Sequence, residues 1–391
     1  MDLPIYLDYN ATTPVDERVL ERMLPYFGER FGNASSDGHS FGWMADEAVD
    51  QAREEVAALM QADPRALTLT SGATEAINMA LKGVAETYQR KGRHLVTVQT
   101  EHKAVLDACQ ALERRGFGVT YVPVSAEGQL DLDELDAAIR DDTILVAVMW
   151  ANNETGVLHP IPEIATRVRD RGVLFLTDAT QALGKVPVDA AHADLLVASG
   201  HKFYGPKGAG VLYASRRQPR VRLTPLIDGG GQEDGRRGGT HNVPAIVGMG
   251  AAAALAQEER PGEAERLERL RDRLEARLTD ALPDARINGA AAPRLPQTTN
   301  VTFPGTRAED LMLALRDVAC SSGSACASAS PRPSHVLTAH GLSEADARAT
   351  LRLSLGRFTT ETAVDHAAAQ IIDEVQRQAR VPSVPHSGAR T

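Results

Sequence analysis

Between about residues 66 and 214 the chain switches repeatedly between two hydrophobic patterns. Short runs rich in Val, Leu, Ile and Thr (ALTLTS, HLVTVQT, TILVAVMW, VLFLTDA, DLLVASG and GAGVLYA) have the length and composition of strands. Amphipathic stretches such as 103–115 and 160–170 separate them and predict helices. Strands alternating with helices predict an α/β fold with a mainly parallel sheet, because parallel neighbours need a crossover connection. Past residue 256 the pattern changes to a charged helix, EAERLERLRDRLEARL, a strand-like TTNVTFP, and helical stretches at 308–317 and 360–379. The expected organisation is a large domain over 15–256 and a smaller α+β domain built from 1–14 and 257–380. Residues 381–391, rich in Pro and Ser and without periodicity, read as a disordered tail. No internal repeat is apparent.

Composition narrows the function classes. A chain of 391 residues with 43% hydrophobic content can bury a large core. No run approaches the roughly 18 apolar residues of a membrane span, and MDLPIYLDYNATTP lacks the basic and apolar regions of a secretion signal, so a cytoplasmic protein without a membrane partner is expected. The net charge of -10 argues against nucleic acid as a partner. Three cysteines, Cys109, Cys320 and Cys326, are too few for a disulfide framework, and no His–Cys spacing suits zinc, so no metal is expected. Two of them stand in CSSGSACASAS, a loop at about 320–332 with nothing large enough to build a core. A thiol there is expected to move, since a structural cysteine packs among apolar neighbours.

The expected strand ends carry the polar residues, and ligands of open α/β sheets collect outside the carboxyl ends of the strands. ALTLTS runs into GATEAINMALKGV, so a turn at Ala73 and Thr74 opens a helix whose free N–H groups form an anion cup. Alone, the same letters describe an ordinary cap. DLLVASG ends at Ser199, Gly200, His201 and Lys202, and only six of the 42 cationic side chains are lysine. A lysine at a strand end can lose its proton and act as a Schiff-base nucleophile, whereas the bland alternative is a snorkelling surface lysine. An anion cup and such a lysine together suggest pyridoxal phosphate. That cofactor needs a carboxylate at its ring nitrogen, and Asp178, ending VLFLTDA, supplies one, with Gln181 three residues on. His102, after HLVTVQT, can lie over the ring and exchange protons. Asn153, after TILVAVMW, can bond the ring's oxygen, although NNETG also reads as a turn.

LDYNATTP, FGNASS, TSGATE, TEHKAV, MWANNETG, DATQALGK, SGHKFYGPKG, RRGGT, SSGSAC and RLSLGR, in that order, resemble the cysteine desulfurases of the NifS/IscS type. These belong to the class V aminotransferases of the type I pyridoxal-phosphate fold, and the resemblance spans about residues 3–380. MWANNETG and GRRGGTHN lean toward NifS, while YLDYNATTPVDERV and TEHKAVLD look equally like IscS. The resemblance implies that Lys202 carries the cofactor and that Ala73, Thr74, Ser199 and His201 hold its phosphate. It also implies that Asp178 pairs with the ring nitrogen, that Gln181 and Asn153 bond the ring's oxygen and nearby groups, and that His102 stacks on the ring. Thr240 is expected to reach the phosphate of a neighbouring subunit, which makes the protein a homodimer. Arg352 is expected to grip the carboxylate of L-cysteine, with Asn153 beside the substrate. Cys326 is expected to take the sulfur as a persulfide, leaving L-alanine, and to deliver it to a sulfur-acceptor or iron–sulfur scaffold protein. Cys320 reads as filler at the loop's base. Ala34 stands where the family commonly has proline, and Gly231 where NifS has histidine. Another pyridoxal-phosphate enzyme, such as an aminotransferase or a selenocysteine lyase, and a non-catalytic interaction protein remain the alternatives at this point.

Overall fold

The structure, a computed structural model, describes residues 4–217, 220–322 and 333–380. The chain enters through β1 (Ile5–Tyr6), α1 (Glu17–Met23) and α2 (Ser40–Leu59). The alternating stretch then yields β2 (Leu67–Thr70), α3 (Ala73–Tyr88), β3 (His94–Val98), α4 (Lys103–Glu113), β4 (Gly118–Val122) and α5 (Leu132–Ala138). It continues with β5 (Thr143–Ala147), α6 (Ile161–Asp170), β6 (Leu174–Asp178), β7 (Leu195–Ser199) and β8 (Gly210–Ala214). Strands β2 to β8 form one sheet in the order β2-β8-β7-β6-β5-β3-β4. Within it β8 runs antiparallel to β2 and β7, and the other pairs are parallel.

Because helices cover both faces, the central strands are buried and mostly apolar on both faces instead of alternating with exposed polar residues. Alternate side chains go to opposite layers. Val96, Val146, Phe175 and Leu196 pack in a core with residues of α2, α6 and α7 (Val243–Ala281), whereas Leu95, Leu145, Leu176 and Val197 pack in a second core with α3 and α4. The strand β4 is not foreseen by the hydrophobic pattern: it lies at the sheet edge, starts with Gly118, and buries only Val122 fully.

The remaining elements are β9 (Arg286–Ile287), β10 (Thr298–Thr302), α8 (Ala308–Ala314), β11 (Val318–Ala319), α9 (His335–Ala339), α10 (Glu344–Arg348), β12 (Thr350–Ser354) and α11 (Glu361–Arg380). They build a three-stranded antiparallel sheet, β12-β10-β9, and a two-stranded parallel one in which β11 pairs with β1. A third core, including Leu7, Leu274, Phe303, Leu353 and Ile371, lies beneath them. The division expected at residue 256 falls inside the 39-residue α7. Up to Ala256 its small residues pack in the core of the large sheet, and from Leu267 its leucines pack in the third core. Among the described residues no helix is long and apolar enough to cross a membrane.

Candidate active site

The carboxyl ends of β2, β3, β5, β6 and β7 open onto one cavity of about 490 Å³. Ala73, Thr74, His102, Asn153, Asp178, Gln181, Ser199, His201, Lys202 and Arg352 all line it, although their elements are scattered over 280 positions from residue 73 to residue 352. Thr240 is exposed and does not line it, and Cys326 lies outside the described residues. Among the described residues no cluster of His, Cys, Asp or Glu could hold a metal ion.

One end of the cavity is a cradle of backbone. The strand β2 passes through Ser71 and Gly72 into α3, whose first-turn amides have no intrahelical acceptor. Gly210 of β8 makes this close approach possible, because a Cβ there would stand 2.5 Å from the Gly72 Cα. A Cβ at Gly72 itself would lie 3.7 Å from the Ser199 hydroxyl, so that hydroxyl stands beside the turn. Glu75, in the first turn, is engaged elsewhere: it accepts from the Ser71 amide at 2.8 Å and pairs with Arg237 at 2.7 Å. Burial and the nearby Lys202, Lys207 and Lys185 push the His201 imidazole down to about 4, so it stays neutral. Its Nδ1 lies 3.1 Å from the Thr12 hydroxyl.

Lys202 follows β7 in a single 3-10 turn, and its Nζ donates to the carbonyls of Asn10 at 2.5 Å and Ala11 at 2.8 Å. Asp178 ends β6, and one of its carboxylate oxygens accepts from the Thr180 amide at 2.9 Å. His102 caps α4 by accepting the Ala104 amide at Nδ1, 3.1 Å away, which leaves Nε2 carrying the proton of the neutral ring. Burial, with Lys202 adding to it and Asp178 opposing it, lowers the proton affinity of that ring. Gln181 is held at both ends, donating to the Asn10 carbonyl at 2.9 Å and accepting from Lys185 at 2.9 Å.

Arg352, on β12, is only 2% exposed. Its guanidinium donates to Asp8 at 2.6 Å and to the Asn153 carbonyl at 3.0 Å, while its buried Nε has no acceptor. The chain that bears Cys326 leaves the described structure just after Ser321, which exchanges backbone hydrogen bonds with Arg352. It re-enters before Ser334, whose hydroxyl donates to Glu154 at 2.5 Å. Both flanks of that stretch therefore adjoin the cavity wall.

Several lining residues were not legible as site residues. Asn10 is a junction: its carbonyl accepts from Lys202 and Gln181, its amide nitrogen donates to Thr298 at 2.9 Å, and it is buried. The signal available was a polar NATT run directly after an apolar strand. Two buried carboxyls also went unread, Glu154 on the cavity wall and Glu101, the residue before His102. Burial raises both, Glu101 well above the ordinary range with the Asp178 charge adding to the effect. His335, at the start of α9, also lines the cavity.

The aminotransferase class-V family matches residues 5–366. A protein of Anaeromyxobacter sp. (strain Fw109-5) named cysteine desulfurase IscS is 56% identical over 379 residues, covering 96% of this chain and 94% of that one. The cysteine desulfurase IscS of Neisseria meningitidis serogroup C (strain FAM18) is 52% identical over 95% of this chain and 92% of its own. Among solved structures, a NifS-like protein superposes with a TM-score of 0.88 at 38% identity, covering 96% of this chain and all of that one. SspA in complex with cysteine superposes with a TM-score of 0.79 at 39% identity, covering 91% of this chain and 99% of that one. With its large, mainly parallel sheet and strand-end cavity of the type I pyridoxal-phosphate fold, the chain belongs to the class-V aminotransferase family, in its cysteine desulfurase branch of the NifS/IscS type.

Proposed function

We propose that this protein is a pyridoxal-phosphate-dependent cysteine desulfurase that converts L-cysteine to L-alanine and receives the sulfur on Cys326 as a persulfide. The observation that carries the reading is the meeting, in one cavity, of an amide cradle at the start of α3, the Lys202 amine and the Asp178 carboxylate. That donor set fits the cofactor. The free first-turn amides of α3 beside the Ser199 hydroxyl suit a phosphate dianion, and the amine and carboxylate suit its aldehyde and ring nitrogen. When bound, pyridoxal phosphate supplies an electron sink for bonds at the α-carbon of an amino acid.

The chain's own groups then divide the work. The first-turn amides of α3 with Ser199 and the neutral His201 hold the phosphate, and Asp178 holds a proton at the ring nitrogen. Lys202 would hold the cofactor at its Nζ, and the same amine would serve as the base for the Cα proton of the substrate. His102 would stack on the ring, and Asn153 and Gln181 would bond its oxygen and the groups beside it, all three lining the same cavity. Arg352 receives the substrate carboxylate, a planar fork matched to two oxygens. Cys326 attacks the substrate sulfur as a thiolate. Thr240, exposed and away from its own cavity, serves the phosphate of a second subunit in a homodimer. The units 15–256 and 1–14 with 257–380 are the large and small domains of this enzyme. It works in the cytoplasm, passing sulfur to a scaffold or carrier protein.

Incubation of the cofactor-loaded protein with L-cysteine and a reductant is expected to release L-alanine and sulfide in equal amounts. A protein that stays colourless after reconstitution, or that yields pyruvate without alanine, defeats this reading. Arg352→Ala is expected to raise KM for L-cysteine by about 1.5–3 kcal/mol, the worth of a charge-assisted pair, with the visible absorbance unchanged. Arg352→Lys keeps a cation beside Asp8 and is expected to recover only part of the loss. Unaltered kinetics in both variants assign the carboxylate clamp to another residue.

A further inference from the structure

The motif DATQALGK contains one charged residue that the proposed chemistry leaves without a task, Lys185. The chain leaving β6 winds through successive turns: the Leu183 amide donates to the Ala179 carbonyl at 2.8 Å, and the Lys185 and Val186 amides both donate to the Ala182 carbonyl at 3.0 Å. Gly184 makes the last turn possible, since its φ of +79° is left-handed and a Cβ there would stand 2.9 Å from the Cβ of Phe203, the residue after Lys202. Gln181 and Lys185 thereby stand one turn apart. The first lines the active-site cavity, and the second lines another cavity beside Arg260 and Arg294.

Two hydrogen bonds fix which way the Gln181 amide faces. The Lys185 Nζ lies 2.9 Å from one end, and an ammonium only donates, so that end is the oxygen. The Asn10 carbonyl lies 2.9 Å from the other end and only accepts, so that end is the nitrogen. Each partner selects the same orientation independently. The nitrogen has a second N–H, which meets no acceptor among the described residues, on a side chain that lines the cavity and is only 4% exposed. Donation from a cation to the amide oxygen polarises the group and strengthens that N–H as a donor. Packing alone does not account for Lys185. An apolar chain would fill the place without the cost of burying an amine, and burial, with the Lys202 charge adding to it, pushes this amine down to about 7.

From this arrangement we infer that Lys185 is a positioning residue for the proposed cofactor: acting through Gln181, it presents the spare amide N–H to the ring oxygen. The inference rests on the proposed function and deepens the reading of the same site. A hydrogen bond donated to the ring oxygen competes for the lone pair that retains the neighbouring proton, so it lowers the pH at which that proton leaves. Weakening the donor raises that pH.

The readout is the pH midpoint of the visible absorbance of the pyridoxal-phosphate-loaded protein without substrate. Lys185→Met and Lys185→Ala are each expected to raise it by about half a unit to one unit, the worth of a single hydrogen bond. Lys185→Arg keeps a cationic donor and is expected to leave the midpoint at the wild-type value. Loss of the Lys185 charge moves the midpoint the same way through space, and a double-mutant cycle separates the two routes. In a Gln181→Ala background the amide is gone, and adding Lys185→Met is expected to produce no further shift. An unchanged or lowered midpoint in Lys185→Met and Lys185→Ala overturns the inference. So does an equal shift with and without Gln181, which marks charge acting through space, or a Lys185→Arg midpoint as high as that of Lys185→Met, which marks packing. Each of these results leaves the desulfurase reading standing. A wild type that takes up no pyridoxal phosphate removes that reading, and this inference with it.

Discussion

In Lys202→Ala the protein is expected to lose covalent capture of pyridoxal phosphate, and alanine formation is expected to fall by about 10⁴-fold or more, the upper end for one positioned acid–base group. Two lysines compete for this assignment. Lys185 has the amine pushed down to about 7, by burial and by the Lys202 charge, so pKa alone would select it as the better nucleophile at neutral pH. Geometry decides the other way. Lys185 donates to Gln181 and lines a separate cavity of about 390 Å³ beside Arg260 and Arg294, with no helix start among its lining residues. Lys202 faces the cavity that also holds the α3 amides and Asp178. Borohydride reduction of the wild type, followed by peptide mass spectrometry, is therefore expected to find the cofactor on the peptide of Lys202. Recovery of the label on Lys185, or full alanine formation by Lys202→Ala, would place the chemistry in the other cavity.

What the sequence made legible follows from how local each signal is. Asp178 and Ser199 close apolar strands, and the sheet then brings those strand ends together without further information, so the large sheet and most of the cavity wall could be read from the letters. The edge strand β4 escaped because a half-exposed GVTYV lacks both the continuous apolar run of a buried strand and clean alternation. Contacts made by distant segments were beyond reach. Asp8 and Arg352 are 344 positions apart, and nothing in either motif announces that the guanidinium rests against that carboxylate. Asn10 is similar: its carbonyl supports Lys202 only because the chain's first strand is folded against the third core and delivers it there. His335 sits in PSHVLTA, a short amphipathic turn with no chemical signature, and its place on the cavity wall emerges only from the fold that sets it against the Glu101 carbonyl.

Cys326→Ala is expected to abolish sulfide release and the persulfide on its peptide, while cofactor binding and the absorbance change on adding L-cysteine persist. The thiolate, not the thiol, is the nucleophile, and this requirement separates the three cysteines. Cys109 is fully buried in α4, with burial and then the Glu101 charge pushing its thiol up to about 12. Cys320 packs against the third core, and burial followed by the Asp8 charge takes it up to about 12 as well. At neutral pH neither supplies a useful thiolate fraction. Cys326 lies outside the described residues, yet its chain is tethered at Ser321 to Arg352 and, beyond it, at Ser334 to Glu154, so both anchors adjoin the substrate's proposed site. Cys320→Ala removes one small packed group. It is expected to cost about 1 kcal/mol of stability, the centre of the distribution for single substitutions, with sulfide release unchanged. The decisive comparison is single-turnover persulfide formation in the two variants, read by mass spectrometry after alkylation. Persulfide on Cys320 in the Cys326→Ala protein would reassign the nucleophile. Wild-type sulfide release by the double variant would mean that no thiol of this stretch takes the sulfur, and an aminotransferase or lyase would then be the better description of the site.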